Sequence, residues 1–383
     1  MDIMNAIQKI QKIRNELNNY FLERKEEIDI ALTSILANEH CIFLGNPGVA
    51  KSQLIRAISS HISDADYFEK LITRFSTEDE LFGPLSIKEL KDNDRFIRKT
   101  ENYMPDAEIV FLDEIFKANS SILNALLSII NERIYHNGDE IQKVPLISLF
   151  GASNELPEEN GLFAFYDRFL FRKIVKNINN RENLKKLVYL DEDYKPKTKI
   201  TVEDIKKLQK EVEKVNIDGI VDYLLDIKMK LNHHNIFISD RRLKKSIKAI
   251  KSYALLNGKK EADENDLEIL RHIFWDEVGD YLTVSKVIFE CSNSYSQKAL
   301  EKKEILDNLK KELKYINTKK IKNCGKDYNK LIEMLCKVGY IKLELKKMRN
   351  EALSNGKSLE VIDNILNDCK EFDKIIEGLL NEL

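Results

Sequence analysis

The stretch that most constrains the fold lies at residues 41–58, where a strand-like segment, a loop and a helix-like segment follow one another. Residues 41–44 are all apolar and predict a buried strand, and residues 53–58 have helical spacing. Between them, glycines would let backbone N–H groups curl around an anion, and the helix N-terminus would add positive charge. The predicted phosphate-binding residues are Gly45, Asn46, Pro47, Gly48, Val49, Ala50, Lys51 and Ser52.

One residue of this loop departs from the general pattern G-x-x-x-x-G-K-[ST], because Ala50 stands where the last glycine is expected. In such a loop, Lys51 would reach the β- and γ-phosphates of a nucleotide, and the Ser52 hydroxyl would ligate Mg²⁺. An accidental turn is the competing interpretation. The residues downstream must decide between the two.

A second apolar run, at residues 109–112, ends in two adjacent carboxylates, Asp113 and Glu114. This pattern predicts a buried strand that carries the acids to its C-terminal end. Adjacent acids in such a place are costly unless a cation or a reaction uses them. We therefore expect Asp113 to join the Mg²⁺ shell and Glu114 to polarise a water that attacks the γ-phosphate. The alternative is an ordinary strand end with solvated acids.

A third buried strand, predicted at residues 146–153, leads into Asn154. Ligands of a doubly wound sheet bind at the carboxyl ends of its strands, so Asn154 is expected to face the same γ-phosphate. Further on, Arg168 has the permanent charge and multiple donors that suit a phosphate transition state, and such an arginine can act in trans. A surface ion pair is the equally open alternative for Arg168.

Other segments show clear local signals. Strong helical or turn patterns predict helices at 3–21, 24–37 and 120–134, a strand at 71–75, a helix capped by Thr77, strand-like runs at 85–90 and 95–100, and an Asn-Gly hairpin around Gly138. Residues 20–22 are open to two interpretations, as an apolar seat for adenine or as a staple between two helices.

The 383-residue length favours two or three domains. Alternating strands and helices predict an α/β domain at 1–178, built on a parallel sheet. Long charged helices then predict a helical lid subdomain at 179–283 and a helical region at 284–383. Ser239 is a predicted N-cap and Gly258 a predicted stop for a lid helix, whose initial arginine either reaches over a nucleotide or forms an exposed basic turn.

The C-terminal region has apolar residues at heptad-like spacing. They are Leu306, Leu309, Leu313, Ile316, Ile362, Ile365, Cys369, Phe372, Ile376 and Leu379. This spacing, with helix breaks at 324–325 and 354–356, predicts a small antiparallel bundle. Its seams would form its own core or a face that binds a partner.

Composition narrows the class of protein. A formal net charge of -2 argues against a strongly basic nucleic-acid binder, although a local patch could remain. The five cysteines are scattered, without a C-x-x-C pair, which is typical of free thiols in a reducing cytosol. There is no signal-peptide pattern, and no apolar run approaches the ~20 residues of a bilayer span. We expect a cytoplasmic protein.

Together these segments resemble an AAA+ ATPase of the MoxR group and, within it, the RavA family. The resemblance runs from about residue 20 to 175 and resumes at 239–258. The most specific stretches are ThrArgPheSerThr at 73–77, LeuPheGlyProLeuSerIle at 81–87, GluIleValPheLeuAspGlu at 108–114, AsnAlaLeuLeuSerIleIleAsnGluArg at 124–133 and AlaSerAsnGluLeuPro at 152–157.

The resemblance assigns roles to individual residues. The family's loop commonly reads G-x-P-G-x-A-K-S, so Ala50 becomes expected. Asn154 would be the sensor that positions the attacking water. Arg168 would be the finger that reaches a neighbouring subunit's nucleotide, and Arg241 the lid sensor, with Arg242 a close rival.

The resemblance also implies an AAA+ P-loop core with a helical lid, and a homo-oligomer, namely a hexameric ring with ATP and Mg²⁺ between its subunits. The ring would act as a chaperone-like remodeller of client proteins, with a partner that carries a von Willebrand factor A domain. The hairpin-like insertions at 85–100 and around Gly138 would face the pore or a partner. The last hundred residues are too short for the insertion domain that RavA-type proteins can carry, so its partner is not expected.

Two other functions remain as alternatives. A nucleic-acid motor would need a basic, aromatic-rich pore or a helix-turn-helix, and the sequence supplies neither. A nucleotide-dependent assembly switch would bind ATP without hydrolysing it, but Glu114 and Asn154 would then have no task.

Overall fold

The computed structural model describes residues 3–157, 160–190, 193–314 and 326–381. The chain forms two compact units, one of Met1–Gly219 with Ile238–Val278 and one of Ile220–Phe237 with Gly279–Leu383. The division at residues 178 and 283 that the sequence suggested stays a prediction.

The strands of the first unit are β1 (Cys41–Leu44), β2 (Tyr67–Leu71), β3 (Ile109–Asp113), β4 (Ile134–Asn137), β5 (Glu140–Lys143), β6 (Ser148–Ser153) and β7 (Phe171–Ile174). Five of them form a parallel sheet with the order β2-β3-β6-β1-β7. A separate antiparallel hairpin is formed by β4 and β5.

Helices flank the sheet and make up the second unit. In chain order they are α1 (Ile3–Tyr20), α2 (Lys25–Ala37), α3 (Lys51–Ser60), α4 (Glu78–Phe82), α5 (Ile87–Asn93), α6 (Ser120–Glu132), α7 (Asn160–Tyr166), α8 (Arg181–Val188), α9 (Val202–Lys214), α10 (Val221–His233), α11 (Asp240–Leu256), α12 (Tyr281–Ser292), α13 (Ser294–Leu313), α14 (Lys326–Ser354) and α15 (Glu360–Asn381). The predicted helices at 3–21, 24–37 and 120–134 are confirmed.

The three central strands are almost wholly buried because helices cover both faces of a parallel sheet. All residues of β1 and β6 are buried, and in β3 only Asp113 is not. The predicted α/β class and its parallel sheet are therefore confirmed. None of the described helices is both long and apolar enough to cross a membrane.

The strand predicted at 71–75 is wrong by four residues, since β2 occupies Tyr67–Leu71. It pairs with β3 in a register that runs from Tyr67 beside Ile109 to Leu71 beside Asp113. An edge strand is only partly covered by other elements, so it does not need to be apolar throughout. Strand β2 has a mixed composition, and a search for apolar runs does not detect it. Residues 73–76 instead form a turn, in which the Thr73 N–H donates to the Ser76 hydroxyl at 3.0 Å.

The strand-like runs predicted at 85–90 and 95–100 are also wrong. Only a single antiparallel bridge joins Leu85 and Arg98, and helix α5 fills the space between them. The Ser86 side chain accepts a hydrogen bond from the Glu89 N–H at 3.3 Å. This N-cap starts a helix where the alternation of apolar residues had suggested a strand.

The segment 95–98 and the β4–β5 hairpin, which turns at Gly138 as predicted, are fastened together. The Asn137 amide accepts from the Arg98 N–H at 2.7 Å and donates to the Arg98 carbonyl at 3.0 Å. Arg95 pairs with the hairpin acids Asp139 and Glu140, at 2.9 and 2.6 Å. A Cβ at Gly138 would lie 2.5 Å from a backbone oxygen of this segment, so the contact requires glycine.

A helical layer of α1, α2, α9 and α11 packs together in the first unit. Helix α11 starts as predicted, with the Ser239 hydroxyl accepting from the Arg242 N–H at 3.2 Å. It ends at Leu256, just before Gly258, whose φ of +80° suits the predicted stop. Tyr20 and Phe21 pack on Tyr194, with ring centroids 4.9 and 5.9 Å apart. Tyr194 belongs to neither α1 nor α2, so both interpretations of residues 20–22 stay predictions.

The second unit is helical, and its helices α12, α13, α14 and α15 share one apolar core. The predicted seam lies in it, with Leu306, Leu309, Ile362, Ile365, Cys369, Phe372 and Ile376 buried and Leu313 and Leu379 partly buried. Helix α14 ends at Ser354, so the predicted break at 354–356 is confirmed. Ile316 and the predicted break at 324–325 lie outside the described residues.

Candidate functional site

The loop after β1 has the backbone of an anion cradle. A Cβ at Gly45 would lie 2.3 Å from the Val175 carbonyl oxygen, so only glycine fits there. Gly48 has φ +82° and open space beside it. Ala50 also takes the left-handed conformation, with φ 64° and ψ 27°, and forms the N-cap of α3. The loop thus uses a glycine-like conformation at the residue that departs from the general pattern.

Lys51 is the first residue of α3 and is only 8% exposed. Its ammonium donates to the carbonyls of Gly45 and Asn46, the latter at 3.4 Å. Burial lowers the pKa of Lys51, and the charges of Asp113 and Glu114 act in the opposite direction. Both predicted acids therefore lie within electrostatic reach of the predicted phosphate-binding lysine.

Strand pairing explains why these groups meet. Leu44, at the end of β1, lies beside Ser153 of β6 and Ile174 of β7. Strand β3 is on the other side of β6, so the carboxyl ends of β1, β6 and β3 are neighbours at one edge. The Gly45 N–H donates to the Ser153 carbonyl at 3.0 Å, which fixes the loop to the end of β6.

At this carboxyl edge, Asn154 and Glu114 are in direct contact. The Asn154 amide donates to Glu114 Oε1 at 2.6 Å, and Lys117 Nζ lies 3.3 Å from Glu114 Oε2. Glu114 itself has φ 54°, a left-handed conformation that costs a non-glycine residue free energy and often marks functional sites. Asp113 Oδ1 accepts from the Glu114 N–H at 3.0 Å. The structure brings together the predicted acids, Lys51 and Asn154.

Sequence reasoning missed Arg24, which lies between α1 and α2. Its guanidinium donates to the Val49 carbonyl in the phosphate loop, with Nε and Nη2 both at 3.3 Å, and Nη2 donates to the Lys176 carbonyl at 2.8 Å. Arg24 is 6% exposed. A lone arginine before a helix carries no sequence signal for such a contact, which forms only when the loop folds against it.

The remaining predicted residues form a second cluster around Asp167. Arg168, Arg241 and Arg242 all donate to this carboxylate, the first two at 3.4 and 3.2 Å. Arg242 is 6% exposed and also reaches Asp276 at 2.9 Å, whereas the Arg241 side chain is 43% exposed. The two rivals for the lid sensor thus differ, because Arg242 is fixed inside the cluster and Arg241 lies at its surface.

This arginine cluster lies at the opposite edge of the sheet from the phosphate loop. Arg168 comes just before β7, which is parallel to β1, so it lies where β1 begins rather than where it ends. Arg241 donates to Asn131 at 3.3 Å, near the end of α6. Arg133, the first residue after α6, donates to the Asn38 carbonyl just ahead of β1. Four strand residues, or about 13 Å, separate the two edges. The structure does not bring Arg168 and Arg241 to the loop of their own chain.

The donor set at the loop suits Mg²⁺ that is shared with a phosphate. Ser52 and Asp113 offer a hydroxyl and a carboxylate, the hard oxygen ligands that Mg²⁺ prefers. Among the described residues, no group of three or more His, Cys, Asp or Glu side chains could hold a metal on its own. Mg²⁺ usually completes its shell with water and substrate phosphates, so two protein ligands are a fitting number.

Comparisons with known proteins agree with this architecture. Residues 8–214 match a family model described as the MoxR domain in the MoxR-vWA-beta-propeller ternary systems, and residues 219–288 match an AAA lid domain. Two uncharacterized proteins of Methanocaldococcus jannaschii, MJ0079 and MJ0812, are similar to the chain. The first is 69% identical and covers 98% of each chain; the second is 65% identical and covers 97% of this chain and 99% of the relative.

A similar fold occurs in a crystal structure from Cytophaga hutchinsonii described as a "putative ATPase". It has a TM-score of 0.62 and 17% identity, and covers 76% of this chain and 96% of that chain. The identity is low, so this likeness speaks for the fold alone. The family model, in contrast, spans more than half of the chain, so the protein belongs to the MoxR family of AAA+ ATPases.

Proposed function

We propose that this protein hydrolyses ATP to ADP and phosphate with Mg²⁺ as cofactor. One observation carries the proposal: Asn154 holds Glu114 at 2.6 Å, at the sheet edge where the phosphate loop also begins. A base and an amide that lie together beside a phosphate cradle are what attack by water on a γ-phosphate requires.

The chain's own residues would divide the reaction as follows. Loop N–H groups and Lys51 hold the phosphates. Glu114 accepts a proton from the water while the water oxygen attacks the γ-phosphorus. The bond from that phosphorus to the β,γ-bridging oxygen breaks, which leaves ADP and phosphate. Asn154 orients Glu114 and the water. Mg²⁺, held by Ser52 and Asp113, would neutralise charge on the phosphate oxygens.

The arginines are proposed to act on a neighbouring subunit. Arg168 and Arg241 share Asp167 at the edge remote from their own phosphate loop. Side chains at this edge are too far from the phosphate loop of the same chain to contact its nucleotide. They could contact a nucleotide that a neighbouring subunit binds at the interface. We therefore propose that both act in trans within a ring, for which a hexamer is the expected number of subunits.

At the cellular level, the proposal is a chaperone-like remodeller of protein complexes in the cytoplasm. The matching family model is described as the MoxR domain of ternary systems that also contain vWA and beta-propeller components. A protein with a von Willebrand factor A domain is therefore the proposed partner, and the remodelled proteins are its clients. The narrower resemblance to the RavA family, made on motifs, stays part of this proposal.

A nucleic-acid motor is the second candidate, and one observation favours it. A groove of about 550 Å³ beside α11 is lined by Lys244, Lys245, Lys248 and Lys251. Glu39 and Glu213 also line it, and Lys245 pairs with Glu39 at 2.6 Å, which reduces its positive charge. The described lining residues include no aromatic ring on which bases could stack. The motor therefore ranks below the protein remodeller, and salt-dependent, ATP-linked binding of single-stranded DNA would reverse that order.

The test is Glu114→Gln, which keeps the shape of the side chain and removes the base. We expect turnover to fall at least a hundredfold while Mg·ATP binding persists, because the substitution leaves the loop intact. Glu132→Gln, at the exposed end of α6, is the matched control and should retain full turnover. Wild-type turnover in Glu114→Gln would remove Glu114 from this role.

The same variant tests the ring. With ATP and Mg²⁺, its mass in solution should rise to about six subunits, because the blocked site keeps ATP between them. If the protein stays a monomer under all conditions, Arg168 has no neighbouring subunit whose nucleotide it could contact. The assembly-switch function, or a ring that needs its partner, would then take precedence.

A further inference from the structure

Arg24 is buried beside the phosphate loop, yet its charge has no part in the chemistry proposed above. Its hydrogen bonds with described residues all go to backbone carbonyls: Val49 at 3.3 Å, Lys176 at 2.8 Å and Glu23 at 2.9 Å. The charge of Arg24 also acts on the buried Glu27. The donors of this buried guanidinium are nevertheless directed at carbonyls, which indicates that those carbonyls must be held in place. The Val49 carbonyl belongs to the loop itself.

The hydrogen bond to the Val49 carbonyl sets the direction of a whole peptide group. In a trans peptide, the C=O of Val49 and the N–H of Ala50 point to opposite sides. With the oxygen held by Arg24, the Ala50 N–H is turned away from Arg24. A phosphate cradle needs this arrangement, because an inward carbonyl oxygen would repel the anion and an inward N–H binds it.

The loop divides its carbonyls between two cations. Lys51 bonds those of Gly45 and Asn46 at the start of the loop, and Arg24 bonds that of Val49 near its end. Lys51 can leave for a phosphate, since its amine is on a flexible stem. Arg24 cannot leave, because it is buried and bonded to the Lys176 carbonyl as well.

The peptide that Arg24 holds is also a strained one. Ala50 has φ 64°, a conformation that an L-residue with a Cβ disfavours. The neighbouring Glu23, itself at φ 56°, accepts the N–H groups of Asn179 and Asn180 at 3.1 Å each. Residues 23–24 therefore fasten both the phosphate loop and the segment after β7 to one turn.

We propose that Arg24 is a positioning residue, which orients the Val49–Ala50 peptide so that the Ala50 N–H faces the nucleotide phosphates. This inference rests on the proposed nucleotide site. It adds a residue that touches no substrate and acts only through the loop backbone.

The experiment compares Arg24→Met and Arg24→Lys in the full-length Glu114→Gln protein, where binding is free of turnover. Met keeps the apolar stem and removes every donor, whereas Lys keeps one donor group. Binding of Mg·ATP and Mg·ADP is measured by calorimetry, and folding is checked by circular dichroism at the same temperature.

The matched control is Arg133→Met. Arg133 also donates to backbone carbonyls, those of Ile130 and Asn38 at 3.1 and 3.0 Å, but it lies at the amino edge of the sheet. A general loss of stability should affect this control as much as Arg24→Met. A loss of loop geometry should affect Arg24→Met alone.

We expect Arg24→Met to raise the Kd of Mg·ATP at least tenfold, and that of Mg·ADP by a similar factor, because loop N–H groups cradle phosphates that both nucleotides carry. Arg24→Lys should recover part of the loss, and Arg133→Met should stay within twofold of the parent. A Kd for Arg24→Met within twofold of the parent would overturn the inference. If Arg24→Met does not fold, the Kd of Arg24→Lys decides by the same twofold limit. A parent that binds neither nucleotide would instead refute the proposed function.

Discussion

Replacing Ala50 with glycine should stabilise the first unit, although it removes a methyl group and adds chain entropy. Ala50 is the N-cap of α3 and has φ 64° and ψ 27°. Glycine adopts this conformation without a steric penalty, because it lacks the Cβ that collides with the backbone there. The change therefore relieves strain in the folded state.

The expected change in the free energy of unfolding of Ala50→Gly is the sum of three contributions. An L-residue in the left-handed region is disfavoured by about 1–2 kcal/mol. Glycine adds about 0.5–1 kcal/mol of conformational entropy to the unfolded chain. The methyl group of Ala50 is half-buried, and its loss destabilises the folded state by roughly a few tenths of a kcal/mol. The net change in the free energy of unfolding should be about +0.5 kcal/mol.

Ala57→Gly is the matched control, because Ala57 lies in the interior of the same helix and is 4% exposed. Glycine in a helix interior costs about 1 kcal/mol, and loss of the buried methyl adds to this. The two substitutions are chemically identical, so they should differ by about 2 kcal/mol and in sign.

Urea unfolding, followed by the fluorescence of Trp275, measures the difference. Trp275 is the only tryptophan of the chain and is fully buried in the first unit. The Ala50→Gly midpoint should rise at an unchanged slope. If Ala50→Gly lowers the midpoint as Ala57→Gly does, the left-handed geometry of the loop is refuted.

Two further predictions concern charged groups. Arg242→Ala should cost about 1–2 kcal/mol, because it removes a buried guanidinium that bridges Asp167 and Asp276, although other arginines still contact both acids. The exposed Arg241→Ala should cost about 0–1 kcal/mol, and equal urea midpoints for the two variants would contradict this difference. Burial, with a smaller contribution from Arg133, lowers the pKa of His40 well below its usual value. In the unfolded chain His40 takes up a proton below about pH 6.5, so its contribution to stability should be full above that pH and fall as the pH drops towards the folded pKa. His40→Gln should therefore weaken the pH dependence of the free energy of unfolding between pH 7.5 and 5.5. An unaltered pH dependence would contradict this role of His40.

The sequence predicted the placement of Glu114 and Asn154 better than it predicted the edges of the fold. Glu114 and Asn154 could be brought together in advance because parallel strands end at one edge, so their side chains share it whatever the details. Strand β2 and helix α5 were misassigned because a half-covered edge strand and a capped short helix lack a decisive apolar period. Arg24 could not be found, since its role depends on a contact with Val49 that only the folded chain creates.

The fastening of the β4–β5 hairpin to segment 95–98 has a mechanical consequence. The Asn137 side chain bonds both the N–H and the carbonyl of Arg98, as the backbone of a neighbouring strand would. Arg95 adds two ion pairs between the same two segments. Displacing one segment without the other would break these hydrogen bonds and ion pairs. We therefore expect the exposed Ile141 of the hairpin and the exposed Phe96 of segment 95–98, which are separate in sequence, to move together.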